Sequence, residues 1–184
     1  MSELIESIFR EYDIRGIFPD ELNEDSIAKI AQSIAHKCNK ESVDEVVIAR
    51  DGRLSGPSLL ESLQKSLNAN GINTINLGLA TSPLLYYAAK KQPSKSGIMI
   101  TGSHNPKNYN GIKLVIDDKP VSGTEIFGLS KTDIFSGNSK GENRFLDIKD
   151  DYITEVKNSF NFKKFKVVIA VSYTHLRAHE TQRY

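Results

Sequence analysis

The run Thr101-Gly102-Ser103-His104-Asn105-Pro106 sets a hydroxyl beside an imidazole, between the apolar segments Ile98-Met99-Ile100 and Ile112-Lys113-Leu114-Val115-Ile116. This pattern predicts a nucleophile carried on a turn at the end of a strand. Gly102 lets the backbone approach a ligand closely, and Pro106 restricts the exit of the loop. Chemistry concentrates on loops of this kind, where a rigid scaffold positions a few side chains. Acyl transfer suits the pattern poorly. Successive side chains point apart, so His104 cannot easily take the proton of its own neighbour. The Gly-x-Ser-x-Gly spacing of a nucleophile elbow is also absent, since position 105 is Asn and 106 is Pro. Basic residues do fall at expected strand ends: Arg10, Arg15, Arg50, Arg53 and Lys113. Gathered at one sheet edge, they would suit phosphate, which Arg binds bidentately and Lys as a point charge. A serine that holds phosphate between turnovers would need that cradle, and a divalent metal to neutralise charge.

The elements that must position this loop alternate in character. Asp25-Ser26 precedes Ile27, Ile30, Ala31, Ile34 and Ala35, whose 3,4 spacing predicts one apolar helix face ending near Asn39. His36 falls within that helix and is assigned no role. Val46-Val47-Ile48-Ala49 predicts a buried strand. Leu59, Leu60, Leu63 and Leu67 predict a helix over 58–70 that stops at Gly71. A strand over 72–77 follows, then a helix opened by Thr81-Ser82-Pro83, then strands over 98–101 and 112–117. Strands alternating with helices of about a dozen residues predict parallel βαβ units in an α/β fold. The strand after Ser103 comes too soon for a crossover helix, so it should run antiparallel to its predecessor.

Composition narrows the class. With 24 Lys and Arg against 23 Asp and Glu, the charges are balanced and interspersed, which argues against nucleic acid as a partner. No run of eighteen apolar residues suggests a membrane span. A single cysteine, Cys38, excludes an internal disulfide and a cysteine metal cage, and together with an acidic N-terminus points to the cytoplasm.

Three ordered motifs carry a resemblance. Phe9-Arg10-Glu11-Tyr12-Asp13-Ile14-Arg15-Gly16, then Arg50-Asp51-Gly52-Arg53 with Ser55-Gly56, then the Ser103 loop with Tyr109-Asn110-Gly111-Ile112-Lys113, resemble the N-terminal domain of the α-D-phosphohexomutases. The likeness spans residues 8–171 and leans towards the bacterial phosphomannomutase/phosphoglucomutase branch, through Thr-Gly-Ser rather than Ala before the serine. It implies a three-layer α/β/α sandwich with a mixed, mostly parallel sheet. It also implies an isomerase that interconverts hexose 1-phosphate and hexose 6-phosphate, of mannose or glucose, through a phosphoserine and a bisphosphorylated sugar. By the same resemblance Ser103 is the phosphoserine and, through its phosphate, a ligand of Mg²⁺. His104 orients the phosphoryl group, Lys113 assists proton transfer at the sugar hydroxyl, and Arg15 stabilises phosphoryl charge. Tyr12, Arg15 and Lys113 would contact the substrate. Tyr12 as a packing aromatic, Arg15 as a surface cation and Lys113 as a solvated strand residue are the competing readings. The implied partners are hexose phosphates and the hexose bisphosphate, with no partner protein.

Domain limits follow the same likeness. Residues 1–140 are expected to form the phosphoserine domain. Residues 141–171 would open a second domain, with a helix over 147–160 and a strand over 166–171. Residues 172–184 break the pattern and resemble a foreign tail, although His175 and His179, four apart with Glu180 beside them, have a spacing that could bind a metal on a helix face. The chain is expected to be a truncated form that does not turn over, because the sugar-reading and metal-holding loops of the family have no counterpart in it. The alternatives are a non-enzymatic phosphosugar-binding module, phosphoglucosamine mutase specificity, and a serine hydrolase.

Overall fold

A computed structural model describes residues 4–132 and 140–161. The expected strand at 166–171 and the tail at 172–184 lie outside the described residues. A first compact unit runs to Tyr152 and a second begins at Ile153.

Local chemistry sets most of the helices. Helix α1 (Glu24–Lys40) opens on Asn23, whose side chain accepts the Ser26 N–H while the Ser26 hydroxyl accepts the Asn23 N–H. That reciprocal cap lies two residues before the expected start, because the donor it satisfies belongs to the third helical residue. Ile27, Ile30, Ala31, Ile34 and Cys38 form its buried stripe. Helix α2 (Gly56–Ala69) carries Pro57 in its first turn and buries Leu59, Leu60, Leu63 and Leu67. Gly71, at φ +85°, takes the chain out of it, a backbone region that costs other residues strain. Helix α3 (Ser82–Lys91) is capped by Thr81, and α4 (Gly123–Ser130) by Ser122.

The strands are β1 (Ile14–Ile17), β2 (Glu45–Arg50), β3 (Asn73–Leu79), β4 (Gly97–Ile100), β5 (Tyr109–Ile116), β6 (Lys119–Pro120) and β7 (Asn143–Phe145). They form one sheet in the order β1-β5-β4-β2-β3-β7, with β6 beside β5. The β2–β3, β2–β4 and β3–β7 ladders are parallel, whereas β5 is antiparallel to β1, β4 and β6. Six strands therefore share one direction and β5 alone opposes them. The predicted reversal after Ser103 is thus the β4–β5 ladder, where Ile100 faces Ile112 and Met99 faces Lys113.

Alternate strand residues feed two cores. Val46, Ile48, Ile98, Ile100, Ile112 and Leu114 pack with α1, α2 and α4 on one face. Val47, Ala49, Ile75 and Met99 pack with Leu84, Leu85 and Ala88 of α3 and with Ile148 on the other. This gives the expected three layers. The chain leaves β2 through α2 on the first face and reaches β4 through α3 on the second. The carboxyl ends of β2 and β4 therefore flank the point where the winding reverses, the usual place for a ligand in such sheets.

Three strands were not legible in the residue pattern. β1, β6 and β7 have four, two and three residues, and they are strands because β5 and β3 supply their ladders. β7 lies beyond residue 140, and the first compact unit extends to Tyr152. Helix α5 (Lys149–Asn158) lies within the helix expected over 147–160.

Candidate functional site

The loop after β4 and the loop after β2 meet at the switch point. Asp51, the first residue beyond β2, donates its N–H to the Ile100 carbonyl at 2.9 Å. Its carboxylate then organises the second loop. Oδ2 accepts the Thr101 hydroxyl at 2.8 Å and the Gly102 N–H at 3.1 Å, and it pairs with Arg53 Nε at 3.2 Å. Oδ1 accepts the Arg53 N–H at 3.1 Å. The Thr101 hydroxyl in turn accepts the Ser103 N–H at 2.9 Å. A charged acceptor under four donors makes a strong and directional joint.

Arg53 closes the other side of the loop. Nη1 donates to the carbonyls of Pro106 at 2.6 Å and Tyr109 at 2.9 Å. Nη2 donates to those of Ser103 at 3.1 Å and Asn105 at 2.8 Å. The guanidinium lies where a Gly102 side chain would be, for a Cβ there would overlap Arg53 Cζ and Nε. Gly102 does permit a close approach, as its type suggested. The approaching group is Arg53 rather than a ligand.

Arg15 supports the loop from β1. Its side chain is 2 % exposed, donates through Nη1 to the Thr101 carbonyl at 2.9 Å, and pairs through Nη2 with Asp13. Arg15 also faces Gly111 across the β1–β5 ladder, and the Gly111 carbonyl accepts the Thr101 N–H at 3.0 Å. Asn110, fully buried, ties β5 to Ser55 through its side-chain amide at 2.8 Å. The loop therefore sits on three polar supports from three segments.

On this base Ser103 is exposed and adopts φ +51°, a left-handed conformation costing a non-glycine residue roughly 1–2 kcal/mol. Its Oγ has no hydrogen-bond partner among the described residues, whereas its N–H and carbonyl are both held. A strained backbone with an unengaged hydroxyl is the arrangement expected of a functional residue. His104 beside it is also exposed.

The other expected site residues divide. Lys113 is half-buried on β5, opposite Met99 and hence on the α3 face of the sheet. Tyr12 is 80 % exposed, so it is not a packing aromatic in this unit. Arg15 is no surface cation; it is buried beneath the loop with two donors engaged. The expected basic cradle is altered in the same way. Arg53 turns its donors to loop carbonyls, and Arg50 Nη1 donates to the Asp51 carbonyl at 3.0 Å. Asp13 and Asp51 partly neutralise the two guanidiniums nearest the loop. Charge at strand ends is visible in a sequence, but the partner of each charge is not.

Beside the loop lies an open groove of about 890 Å³, lined in part by Phe18, Arg53, Leu54, Asn105, Lys107 and Asn108. Among the described residues there is no group of three acidic, histidine or cysteine side chains able to hold a metal ion. Asp51 is already engaged by four donors. No helix among these residues is long and apolar enough to cross a membrane.

Comparison with known proteins places this geometry in context. Residues 6–129 match the family model described as phosphoglucomutase/phosphomannomutase, alpha/beta/alpha domain I. A phosphoglucomutase of Neisseria meningitidis serogroup B is 34 % identical over 168 residues, 89 % of this chain and 36 % of that protein. A phosphomannomutase/phosphoglucomutase of Pseudomonas syringae pv. tomato is 38 % identical over 170 residues, 90 % of this chain and 36 % of that protein. The crystal structure of a phosphoglucomutase/phosphomannomutase family protein from Burkholderia thailandensis superimposes with a TM-score of 0.81 at 32 % identity. That likeness covers 88 % of this chain and 38 % of that one. The chain thus spans little more than a third of the length of these relatives.

Proposed function

The chain belongs to the phosphoglucomutase/phosphomannomutase family, and from that membership we propose that Ser103 is a phosphoryl carrier in the interconversion of hexose 1-phosphate and hexose 6-phosphate. The observation that carries the reading is the state of Ser103: an exposed, unengaged Oγ on a left-handed residue whose own backbone is held on both sides. Such pre-organisation is what phosphoryl transfer asks of a protein, since positioning and electrostatics supply most of its catalysis.

Charging of the site forms an Oγ–P bond at Ser103 as a P–O bond of a hexose bisphosphate breaks. The hydroxyl proton passes to the departing sugar oxygen, leaving a hexose monophosphate. Isomerisation is the reverse transfer to one sugar position followed by recovery from the other. In this reading His104 orients the phosphoryl group, Lys113 assists the proton at the sugar hydroxyl, and Tyr12 contacts substrate. Arg15 acts from below, through the Thr101 carbonyl and as a buried positive charge. Mg²⁺ would supply charge neutralisation when bound, with the Ser103 phosphate as one ligand. The described residues do not make a metal site by themselves, and the further carboxylates would have to come from elsewhere. Cytoplasmic location and a preference for glucose or mannose belong to the same proposal, as does a phosphoserine domain over residues 1–140. Net isomerisation is proposed for a form of the length of the relatives, and none for the 184-residue chain.

Intact-mass spectrometry of a relative-length form incubated with glucose 1,6-bisphosphate and Mg²⁺ tests the carrier role. One added phosphate, lost in Ser103→Ala, is the expected result. Binding of the sugar without a covalent adduct in that form would leave a phosphosugar-binding module. Labelling of Ser103 by a fluorophosphonate would instead indicate a hydrolase.

A further inference from the structure

The Ser103 loop is eight residues between β4 and β5, and it passes into a strand rather than into a helix. No helix N-terminus of its own therefore satisfies its backbone, and its carbonyls need donors from another segment. Three of them, from Ser103, Asn105 and Pro106, converge with the carbonyl of Tyr109 at the start of β5 on one side chain at 2.6–3.1 Å. The same group is anchored from behind by Asp51, which holds the start of the loop as well. A planar fork with five donors can serve this many acceptors at once, whereas an ammonium cannot.

We propose that Arg53 is the positioning residue of Ser103: by collecting three loop carbonyls and that of Tyr109 on one guanidinium, it keeps Ser103 in its left-handed backbone with Oγ outward. Gly102 is the complementary half of the device, because any side chain there would evict the guanidinium. Arg53 does not bind the transferred phosphate through the donors engaged here. The inference rests on the carrier role proposed for Ser103, and its consequence is specific. Displacing a reacting atom by about 1 Å costs a transfer about 100-fold, even when the residue changed never touches substrate.

The test uses the 184-residue chain with Arg53→Lys, Arg53→Ala and Gly102→Ala. Gly102→Ala removes the clamp while leaving the arginine in the sequence. Two readouts are taken for each substitution. The first is the Ser103 HN–Hα coupling and amide exchange over 102–109, with amides of α1 and β2 as the folding reference. The second is the rate of phosphate uptake from glucose 1,6-bisphosphate in a relative-length form carrying the same substitutions. All three variants are expected to lose the left-handed coupling and to exchange at least about 10-fold faster in the loop, with α1 and β2 unchanged. Phosphate uptake is expected to fall about 100-fold, and methylguanidinium to restore part of it in Arg53→Ala but not in Gly102→Ala. An unaltered coupling and loop exchange in Arg53→Lys and Gly102→Ala would overturn the proposal. So would an altered loop that still takes up phosphate at the wild-type rate. If the relative-length form without substitutions takes up none, the carrier role of Ser103 fails. Loss of the left-handed coupling in the variants would still uphold the clamp.

Discussion

Beneath the sheet, α1 and α2 are held by many similar contacts; at its carboxyl edge, the loop around Ser103 is held by a few unlike ones. Ile27, Ile30, Ile34, Leu59, Leu63 and Leu67 are all fully buried, and each is one of several side chains filling a shared space. The loop depends instead on Asp51, Arg53 and Arg15, each with partners no other residue supplies. Apolar packing is non-directional and additive over area, so it sets stability. Charge-assisted hydrogen bonds are directional, so they set the place of individual atoms. The two regions should therefore answer to different measurements.

The largest effect belongs to the loop. Ser103→Ala is expected to abolish phosphate uptake while changing unfolding free energy by no more than about 0.5 kcal/mol, as for an exposed substitution with no lost partner. Intact mass and chemical denaturation check the two halves on one sample. A large stability loss in this variant would erase the division between the regions. Leu63→Ala is the converse. It opens a cavity between α2 and the sheet and should cost about 2–5 kcal/mol. Phosphate uptake per folded molecule should stay at the wild-type level.

The apolar region was the readable one. The 3,4 spacing of α1 and α2 and the β-branched run of β2 announce their buried faces, because burial repeats with the period of the element. The Ser103 turn and the reversal into β5 were also legible, from a short link and the residues at its corners. β1, β6 and β7 were not, since a strand of two to four residues is defined by its neighbour in the sheet. Nor was the part played by Arg53. Its type and strand-end place suggested phosphate, but its donors meet carbonyls about fifty positions along the chain, a pairing without any period. Gly102 was the available signal, and it reported a close approach without naming what approached.

A third variant sharpens the comparison at the joint between the regions. Thr101→Val keeps shape but removes the hydroxyl that donates to Asp51 and accepts from Ser103. An unsatisfied donor and acceptor in a partly buried site should cost about 1–3 kcal/mol. Here both measurements should move together, with slower phosphate uptake and a lower denaturation midpoint. If only the midpoint moves, the hydroxyl is a support of the fold and not of Ser103.

The smallest effect lies far from the loop and asks whether directional contacts matter when they are exposed. Lys37 on α1 reaches Glu125 of α4 and Glu41, each at 2.8 Å. The bond to Glu125, then that to Glu41, raises its ammonium above the ordinary lysine value. A raised folded-state value means the contribution is complete below the unfolded lysine range, near pH 10.4, and is lost as pH climbs through the folded value. Solvent screens such a pair, so Lys37→Met should cost under about 1 kcal/mol at pH 7 in low salt. The gap to wild type should close as pH rises past 10.4, and narrow in 1 M salt. Cys38 titrates in the same alkaline window, its thiol pushed up to about 12 by burial, and its loss of stability would blur the comparison. Melts of Lys37→Met against its parent, both in a Cys38→Ala background, separate the two. A gap that stays constant to pH 12 would mean that Lys37 acts through the packing of its stem, as the residues beneath the sheet do.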